Sequence, residues 1–399
     1  MDECAPWLSR QQAPLVQPAD GLTKEEIRRY SRHLVLPDVG MEGQRRLKNA
    51  RVACVGAGGL GSPIAMYLAA AGIGTLGIVE FDVVDESNLQ RQVIHGTKDI
   101  GRSKLDSARE RIADLNPFVA VEPHEARLTS DNALEILSRY DLVVDGSDNF
   151  PTRYLVNDAC VLLDKPCVWG AIFRFHGQVS VFWAAHGPCY RCLFPEPPPP
   201  DTVPSCAEGG VLGVVAATIG SLQATETIKV LLGRGDALIG RLLIYDALPV
   251  RFHEIALRKD RACAICGENR TIASLIDYEG FCGMRQRPAL PDIGEAALSV
   301  EEMKARLDAG EDLYLLDVRE RIEWEIGHIR GAHLIPLGEL AQRLSELPRD
   351  RPIVAYCRAG LRSAQALAVL RSAGFDEPCH LGGGIDSWSK RVDPSVLVC

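Results

Sequence analysis

Gly56-Ala57-Gly58-Gly59-Leu60-Gly61 stands between an apolar run over 51–56 and a small-residue run over 62–71. A glycine turn that ends a strand and opens a helix lets backbone approach phosphate closely, and the helix N-terminus supplies positive potential there. The pattern continues with an expected strand over 74–80, a helix over 103–115, a strand over 119–123, a helix over 131–139 and a strand over 142–146. Such alternation predicts an α/β fold with a doubly wound, Rossmann-like sheet. Ahead of it, a helix is expected to start at Thr23, where Thr-Lys-Glu-Glu offers a cap with a carboxylate three residues on.

Taken alone, the glycine turn defaults to a redox dinucleotide, and Glu80 stands where an acid commonly holds ribose hydroxyls. The residues downstream of Glu80 argue for a triphosphate. Ser87-Asn88-Leu89-Gln90-Arg91 comes just after it, and Lys104 lies one helical segment later. Cations at these places suit a polyphosphate under attack. Arg91 and Lys104 in isolation read equally well as a solvated charged face. Ser147-Asp148-Asn149 ends the strand expected over 142–146, where open parallel sheets bind ligands. Asp148 there can hold Mg²⁺ or cap a helix over 152–162, and the two roles are not exclusive.

At 399 residues the chain exceeds one ordinary core. Residues 1–20 are polar and proline-containing and are expected to be a flexible tail. The first domain is expected over 21–270, a linker mixing glycine and proline over 271–295, and a second, smaller α/β domain over 296–399. Helices over 300–309 and 363–373 and strands over 313–318 and 352–356 are expected in that second domain. The proline run over 195–200 reads as an exposed, stiff crossover. A net charge of −9 argues against a general nucleic-acid binder. The apolar run over 211–232 is broken by Thr218, Ser221, Gln223, Glu226 and Lys229, so a buried helix is expected and no membrane span. No signal-peptide pattern is evident in 1–20, and the cytoplasm is the expected compartment.

Thirteen cysteines, an odd count with CxxC pairs, point to metal and thiol chemistry. Cys189-Tyr190-Arg191-Cys192 and Cys263-Ala264-Ile265-Cys266 offer four thiolates that suit tetrahedral, structural Zn²⁺. A redox CxxC would need only one pair. Cys206, glycine-flanked in Ser205-Cys206-Ala207-Glu208-Gly209-Gly210, reads as a mobile thiol, against an incidental surface cysteine. Cys357-Arg358-Ala359-Gly360-Leu361-Arg362 joins an expected strand to an expected helix. Backbone N–H groups, a helix dipole and two arginines there favour a sulfur anion, so Cys357 reads as a nucleophile in an anion cradle rather than a structural cysteine.

Jointly, residues 56–61, 87–91, 104 and 147–149 resemble the MoeB/ThiF adenylyltransferases of the ubiquitin-activating superfamily. Asp317-Val318-Arg319-Glu320, Gly327-His328-Ile329-Arg330-Gly331-Ala332 and the Cys357 loop resemble a rhodanese, so the whole is similar to the fused MoeZ type. The resemblance implies that Gly59 and Glu80 meet ATP. It gives Ser87, Asn88, Arg91 and Lys104 to the phosphates, counts Leu89 and Gln90 among the nucleotide-binding residues, and gives Asp148 with Asn149 to Mg²⁺ and the adenylate. Arg32 matches an arginine that the family inserts across a homodimer. Glu80 stands where the family commonly has Asp. Cys206 matches a loop cysteine that links to the activated carrier. His328, Asp317 and Arg319 read as fold-supporting.

The implied reaction is adenylation of the Gly-Gly carboxylate of a ubiquitin-like sulfur carrier (MoaD-like or ThiS-like), then sulfur transfer from a Cys357 persulfide loaded by a cysteine desulfurase or thiosulfate. Rival readings are a conjugation-type activator using a Cys206 thioester, a non-catalytic carrier-binding adaptor, and, least favoured, an NAD oxidoreductase.

Overall fold

Strand β1 (Arg51–Val55) splits its side chains between two cores. Val52 and Cys54 join a cluster with Leu68, Ile112, Ile219 and Leu231, while Ala53 and Val55 join one with Leu137, Tyr154, Val156 and Trp169. A strand apolar on both faces belongs in the middle of a sheet covered by helices on each side. The computed structural model describes residues 12–198, 209–283 and 297–398. They form two compact units, Met1–Arg285 and Gln286–Cys399.

The first unit is built on an eight-stranded sheet in the order β3-β2-β1-β4-β5-β6-β7-β8. β2 (Thr75–Val79), β3 (Ala120–His124), β4 (Leu142–Asp145) and β5 (Cys167–Phe173) run parallel with β1. Val55 lies opposite both Val79 and Asp145, so the loops leaving β1, β2 and β4 emerge side by side. That convergence makes the site. β6 (His176–Phe182), β7 (Arg241–Asp246) and β8 (Arg251–Ala256) continue the sheet antiparallel.

The helix Gly213–Leu232 packs against the helix Gly61–Ala71 and buries Val215, Ile219 and Leu231. A Cβ on Gly220 would fall 2.4 Å from Pro63 Cγ, so only glycine allows that approach. Each fully buried aliphatic side chain contributes about 1.5–3 kcal/mol. The apolar run over 211–232 is thus a core helix, and no helix among the described residues is long and apolar enough to cross a membrane.

Two expected boundaries move. Val16 is buried in the first core, and Ala19 N–H donates to Arg45 C=O, so 12–20 are tied down rather than tail-like. Leu275, Ile276, Tyr278, Phe281 and Cys282 pack into the second core, so the front half of the expected 271–295 linker belongs to the first unit. Apolar side chains spaced through a glycine-bearing stretch supplied the burial that the missing periodicity concealed.

The second unit is a parallel sheet in the order β11-β10-β12-β13-β9, from β9 (Ala297–Leu298), β10 (Tyr314–Asp317), β11 (His333–Leu334), β12 (Ile353–Tyr356) and β13 (Cys379–Leu381). The helix Val300–Asp308 starts from a reciprocal cap between Ser299 and Glu302. At the end of β10, buried Asp317 takes a two-pronged ion pair from Arg319, which also donates to Gly327 C=O at 2.7 Å. His328 is exposed, stacks on Trp324 and meets Trp324 C=O through Nδ1 at 3.1 Å. The Asp317–Arg319 pair thus ties the end of β10 to Gly327, while His328 hydrogen-bonds and stacks with Trp324 alone among the described residues.

Candidate active sites

Glu80 is buried at the end of β2, and its carboxylate is fully engaged. Oε2 accepts from Ala57 N–H at 2.9 Å, and Oε1 accepts from Phe81 and Asp82 N–H at 2.8 and 3.0 Å. The acid therefore pins the glycine turn to the loop after β2. Gly56 takes φ +90, open to glycine at little cost, and a Cβ on it would meet Gly146 C=O at 3.3 Å. A Cβ on Gly59 would stand 3.5 Å from Arg91 Cδ, and one on Gly58 would stand 3.6 Å from Gln92 Nε2. The fold thus brings Gly58, Gly59, Glu80, Arg91 and the end of β4 together.

Lys104 is buried at the start of the helix Lys104–Leu115, with Nζ 3.2 Å from Asp82 Oδ2. Ser87 Oγ donates to Asp85 Oδ1 at 2.5 Å, Asn88 Nδ2 reaches Ser87 Oγ at 3.5 Å, and Arg91 Nη1 donates to Ser87 C=O at 3.1 Å. Leu89 is half-buried, and Gln90 lies against Gly213 at the start of the long helix. Asn149 caps the helix Phe150–Leu162 by accepting from Thr152 N–H at 2.9 Å. Capping thus falls to Asn149, and the exposed Asp148 makes no side-chain hydrogen bond among the described residues. Arg32 is exposed on the short helix Ser31–Leu34 and is likewise unpaired among them.

Several polar groups here carried no sequence signal of their own. Buried His95 bridges Ala57 C=O at 3.1 Å and Ser107 Oγ at 2.9 Å, and burial holds its ring below the usual range, hence neutral. Asp145 Oδ1 accepts from Ser147 N–H at 2.9 Å, and burial pushes its carboxyl up. Asp145 Oδ2, Ser147 Oγ, Gln92 Oε1, Arg153 Nε and Gln223 Oε1 are buried without hydrogen-bond partners among the described residues. Unpaired buried polar atoms are costly, and their concentration near the strand ends fits a site completed by ligand.

The four Sγ atoms of Cys189, Cys192, Cys263 and Cys266 all lie within 4.8 Å of one another. Neighbouring pairs stand 3.4, 3.6 and 3.9 Å apart. Four ligands at about 2.3 Å from Zn²⁺ would be about 3.8 Å apart on a tetrahedron, so the cluster fits that ion. Arg191, within the first pair, is buried and donates through Nε and Nη2 to Asp158, which is also buried. Tyr278 O–H donates to Asp158 Oδ2 at 2.8 Å, and the Arg191 guanidinium lies over Tyr154 and Phe281 at 4.9 and 4.6 Å. Asp158→Ala strands that guanidinium and is expected to cost about 3–5 kcal/mol, read by denaturant unfolding. A loss under 1 kcal/mol, about what an exposed ion pair gives, would contradict it.

Cys357 follows β12 and is buried. Gly360 N–H donates to its Sγ at 3.1 Å, and Ser363 Oγ lies 3.5 Å away. Gly360 takes φ +103, turning the chain into the helix Leu361–Ser372. Arg358 pairs with Asp386 at 3.4 Å, and Arg362 with Glu323 at 2.6 and 2.7 Å. The arginines border the loop with their charge partly answered. The expected Cys206 thiol and positions 199 and 200 of the proline crossover lie outside the described residues.

A nucleotide-type cradle in one unit and a sulfur-anion loop in the other define an enzyme class with two transfer chemistries. The ThiF family matches residues 30–265, and the rhodanese-like domain matches 299–391. A Mycobacterium tuberculosis protein named "Probable adenylyltransferase/sulfurtransferase MoeZ" is 53% identical over 391 residues, covering 96% of this chain and 98% of that one. "Adenylyltransferase and sulfurtransferase MOCS3" of Drosophila yakuba is 45% identical, covering 94% and 86%. "Sulfur carrier protein adenylyltransferase" of Thermus thermophilus is 59% identical over 268 residues, covering 66% and 99%. The chain belongs to the ThiF family, in the form that carries a C-terminal rhodanese-like domain. It is an adenylyltransferase and a sulfurtransferase, and use of ATP is implied by the family.

Proposed function

We propose that the chain adenylates the C-terminal Gly-Gly carboxylate of a ubiquitin-like sulfur carrier and converts it to a thiocarboxylate with sulfur held on Cys357. The observation that carries this reading is the pairing, in one chain, of the Glu80-pinned glycine turn with the Cys357 anion loop. The name of the Thermus thermophilus relative adds weight to a sulfur carrier as the acyl partner. A carboxylate is a poor electrophile. Attack by its oxygen on the α-phosphorus of ATP expels pyrophosphate and leaves an acyl adenylate.

Arg91 and Lys104 answer the phosphate charge, and Asp148 would hold the Mg²⁺ that travels with ATP and neutralises the leaving pyrophosphate. Arg32, unpaired among the described residues, is assigned to the nucleotide of a partner subunit in a homodimer. The terminal sulfur of a Cys357 persulfide, loaded by a cysteine desulfurase or thiosulfate, then attacks the acyl carbon, and AMP leaves with the bonding electrons. A thiol, assigned to Cys206, reduces the acyl disulfide, releases the thiocarboxylate and is itself left in a disulfide with Cys357. Zn²⁺ on the four cysteines would fix two knuckles and take no part in the chemistry.

ATP–pyrophosphate exchange tests the first half. Exchange is expected with a cognate carrier and is expected to vanish when that carrier lacks its final glycine. Exchange indifferent to that glycine, or none with any Gly-Gly-ended carrier, would overturn the reading.

A further inference from the structure

His380 is a buried titratable residue that the proposed reaction leaves without a task. It lies on β13 beside β12, paired in register with Ala355, two residues before Cys357. Its Nδ1 stands 3.3 Å from Ser363 Oγ, the only hydrogen-bond partner of its ring among the described residues. Ser363 Oγ in turn stands 3.5 Å from Cys357 Sγ and 3.0 Å from Gly360 C=O. A Cβ on Gly360 would lie 3.9 Å from His380 Cε1, so the imidazole is tucked under the loop that carries the sulfur.

The serine has one proton and three neighbours. Gly360 C=O can only accept, and so can an anionic Cys357 sulfur. His380 can do either, depending on its tautomer. Burial holds the imidazole below its usual range, so it carries one N–H. Were Nδ1 bare, it would take the serine proton and cost the sulfur the Ser363 donor, leaving the Gly360 N–H in place. With the proton on Nδ1, the imidazole donates to Ser363 Oγ and leaves the hydroxyl proton for Gly360 C=O or Sγ. Once the sulfur is anionic, charge decides for Sγ, and a hydroxyl that also accepts is a stronger donor.

We propose that His380 is a positioning residue for sulfur transfer, acting as the Nδ1–H tautomer to turn the Ser363 hydroxyl onto the anionic sulfur of Cys357. The proposal rests on Cys357 being the sulfur-carrying residue. In thiosulfate–cyanide turnover, the Cys357 thiolate attacks the outer sulfur of thiosulfate, an S–S bond forms, and sulfite leaves with the electron pair. Cyanide then takes the outer sulfur as thiocyanate and returns the thiolate. Both steps place negative charge within reach of Ser363. The other charged groups facing the loop are Arg358, paired with Asp386, and Arg362, paired with Glu323.

The test uses the full chain and two readouts: thiosulfate–cyanide turnover, and the pH profile of iodoacetamide alkylation at Cys357, followed by mass spectrometry of its peptide. His380→Leu is expected to lower kcat about tenfold, the scale of one hydrogen bond to a charged group. KM for thiosulfate should stay nearly constant, and the alkylation midpoint should move to higher pH. His380→Asn, whose amide N–H can stand in for Nδ1–H, should recover most of both, and His380→Gln should not. Ser363→Ala should reproduce His380→Leu, and the double variant should be no worse than Ser363→Ala.

Unchanged kcat and alkylation in His380→Leu, or additive losses in the double variant, would overturn the proposal. If His380→Leu does not fold, the Asn and Gln variants decide: equal behaviour of the two is the overturning result. Cys357→Ser separates the two levels. Sulfur transfer surviving in it removes the reading on which the proposal rests; its loss, with silent His380 variants, removes the proposal alone.

Discussion

Cys357→Ser is expected to abolish sulfur transfer by the full chain while leaving carrier-dependent ATP–pyrophosphate exchange at its original rate. The two halves of the prediction come from different units. Every group assigned to adenylation, from Gly59 and Glu80 through Arg91, Lys104 and Asp148, belongs to the first unit. The Cys357 sulfur is held in the second by Gly360 N–H and Ser363. Serine fills nearly the same space and can accept the same hydrogen bonds, so the loop keeps its shape. What it lacks is chemistry: an alcohol cannot carry sulfane sulfur through a cleavable S–S bond. Removing a covalent nucleophile lowers turnover by at least about 10³-fold, and here the product should fall to background. Thiocarboxylate on the carrier, read by intact mass, is the measurement. Its formation by the serine variant at more than a trace would sink the assignment of Cys357. Exchange lost together with sulfur transfer would mean that the two chemistries are coupled in a way their separate residues do not predict.

The parallel half of the first sheet was legible because its elements obey local rules. The strands around Val52, Ile78 and Val144 are continuous apolar runs, the helix Lys24–Arg29 ahead of them is capped by Thr23, and the helix Lys104–Leu115 by Ser103. The antiparallel half was not. β8 is exposed along its whole length, so no apolar alternation marks it, and its place is set by pairing with β7. Edge strands of this kind are defined by their neighbours more than by their own pattern.

The site divides the same way. Glycines, a cation or a CxxC pair carry their meaning in the chain, because the chemistry needs those residue types at that spacing. Asp158, Tyr278, His95 and His380 do not. Each matters through a partner distant in sequence: Asp158 meets Arg191 33 residues on, and His380 meets Ser363 17 residues back. Glu80 shows a third case. Its carboxylate was assigned to ribose from position alone, and the structure adds three backbone donors that it holds in place.

Removing metal from the four-cysteine cluster is expected to destabilise the first unit more than any single substitution outside that cluster. Cys189 and Cys192 are joined in sequence to β6, while Cys263 and Cys266 come after β8, and no hydrogen-bonded ladder among the described residues holds the second pair in place. Structural Zn²⁺ in small domains contributes on the order of 10 kcal/mol of apparent binding energy, much of it spent on ordering its ligands. If even about 5 kcal/mol reaches the fold, the transition falls by about 10–20 °C, at about 2–4 °C per kcal/mol for a large domain.

The effect should reach beyond the cysteines. Arg191 lies between two of them, its guanidinium is locked on Asp158, and Asp158 also receives Tyr278. Chelation should therefore raise amide exchange over 189–193 and over 275–282 together, although only the first segment contains ligands. Cys263→Ser should reproduce both effects without chelator. One equivalent of zinc per chain in the purified protein, lost in that variant, completes the expectation. A metal-free protein of unchanged stability, or exchange confined to 189–193, would mean that the cysteines and the Arg191–Asp158–Tyr278 network are separate features. Shared protection would make the knuckle and the network one clamp, with the metal at one end and the last packed segment of the first unit at the other.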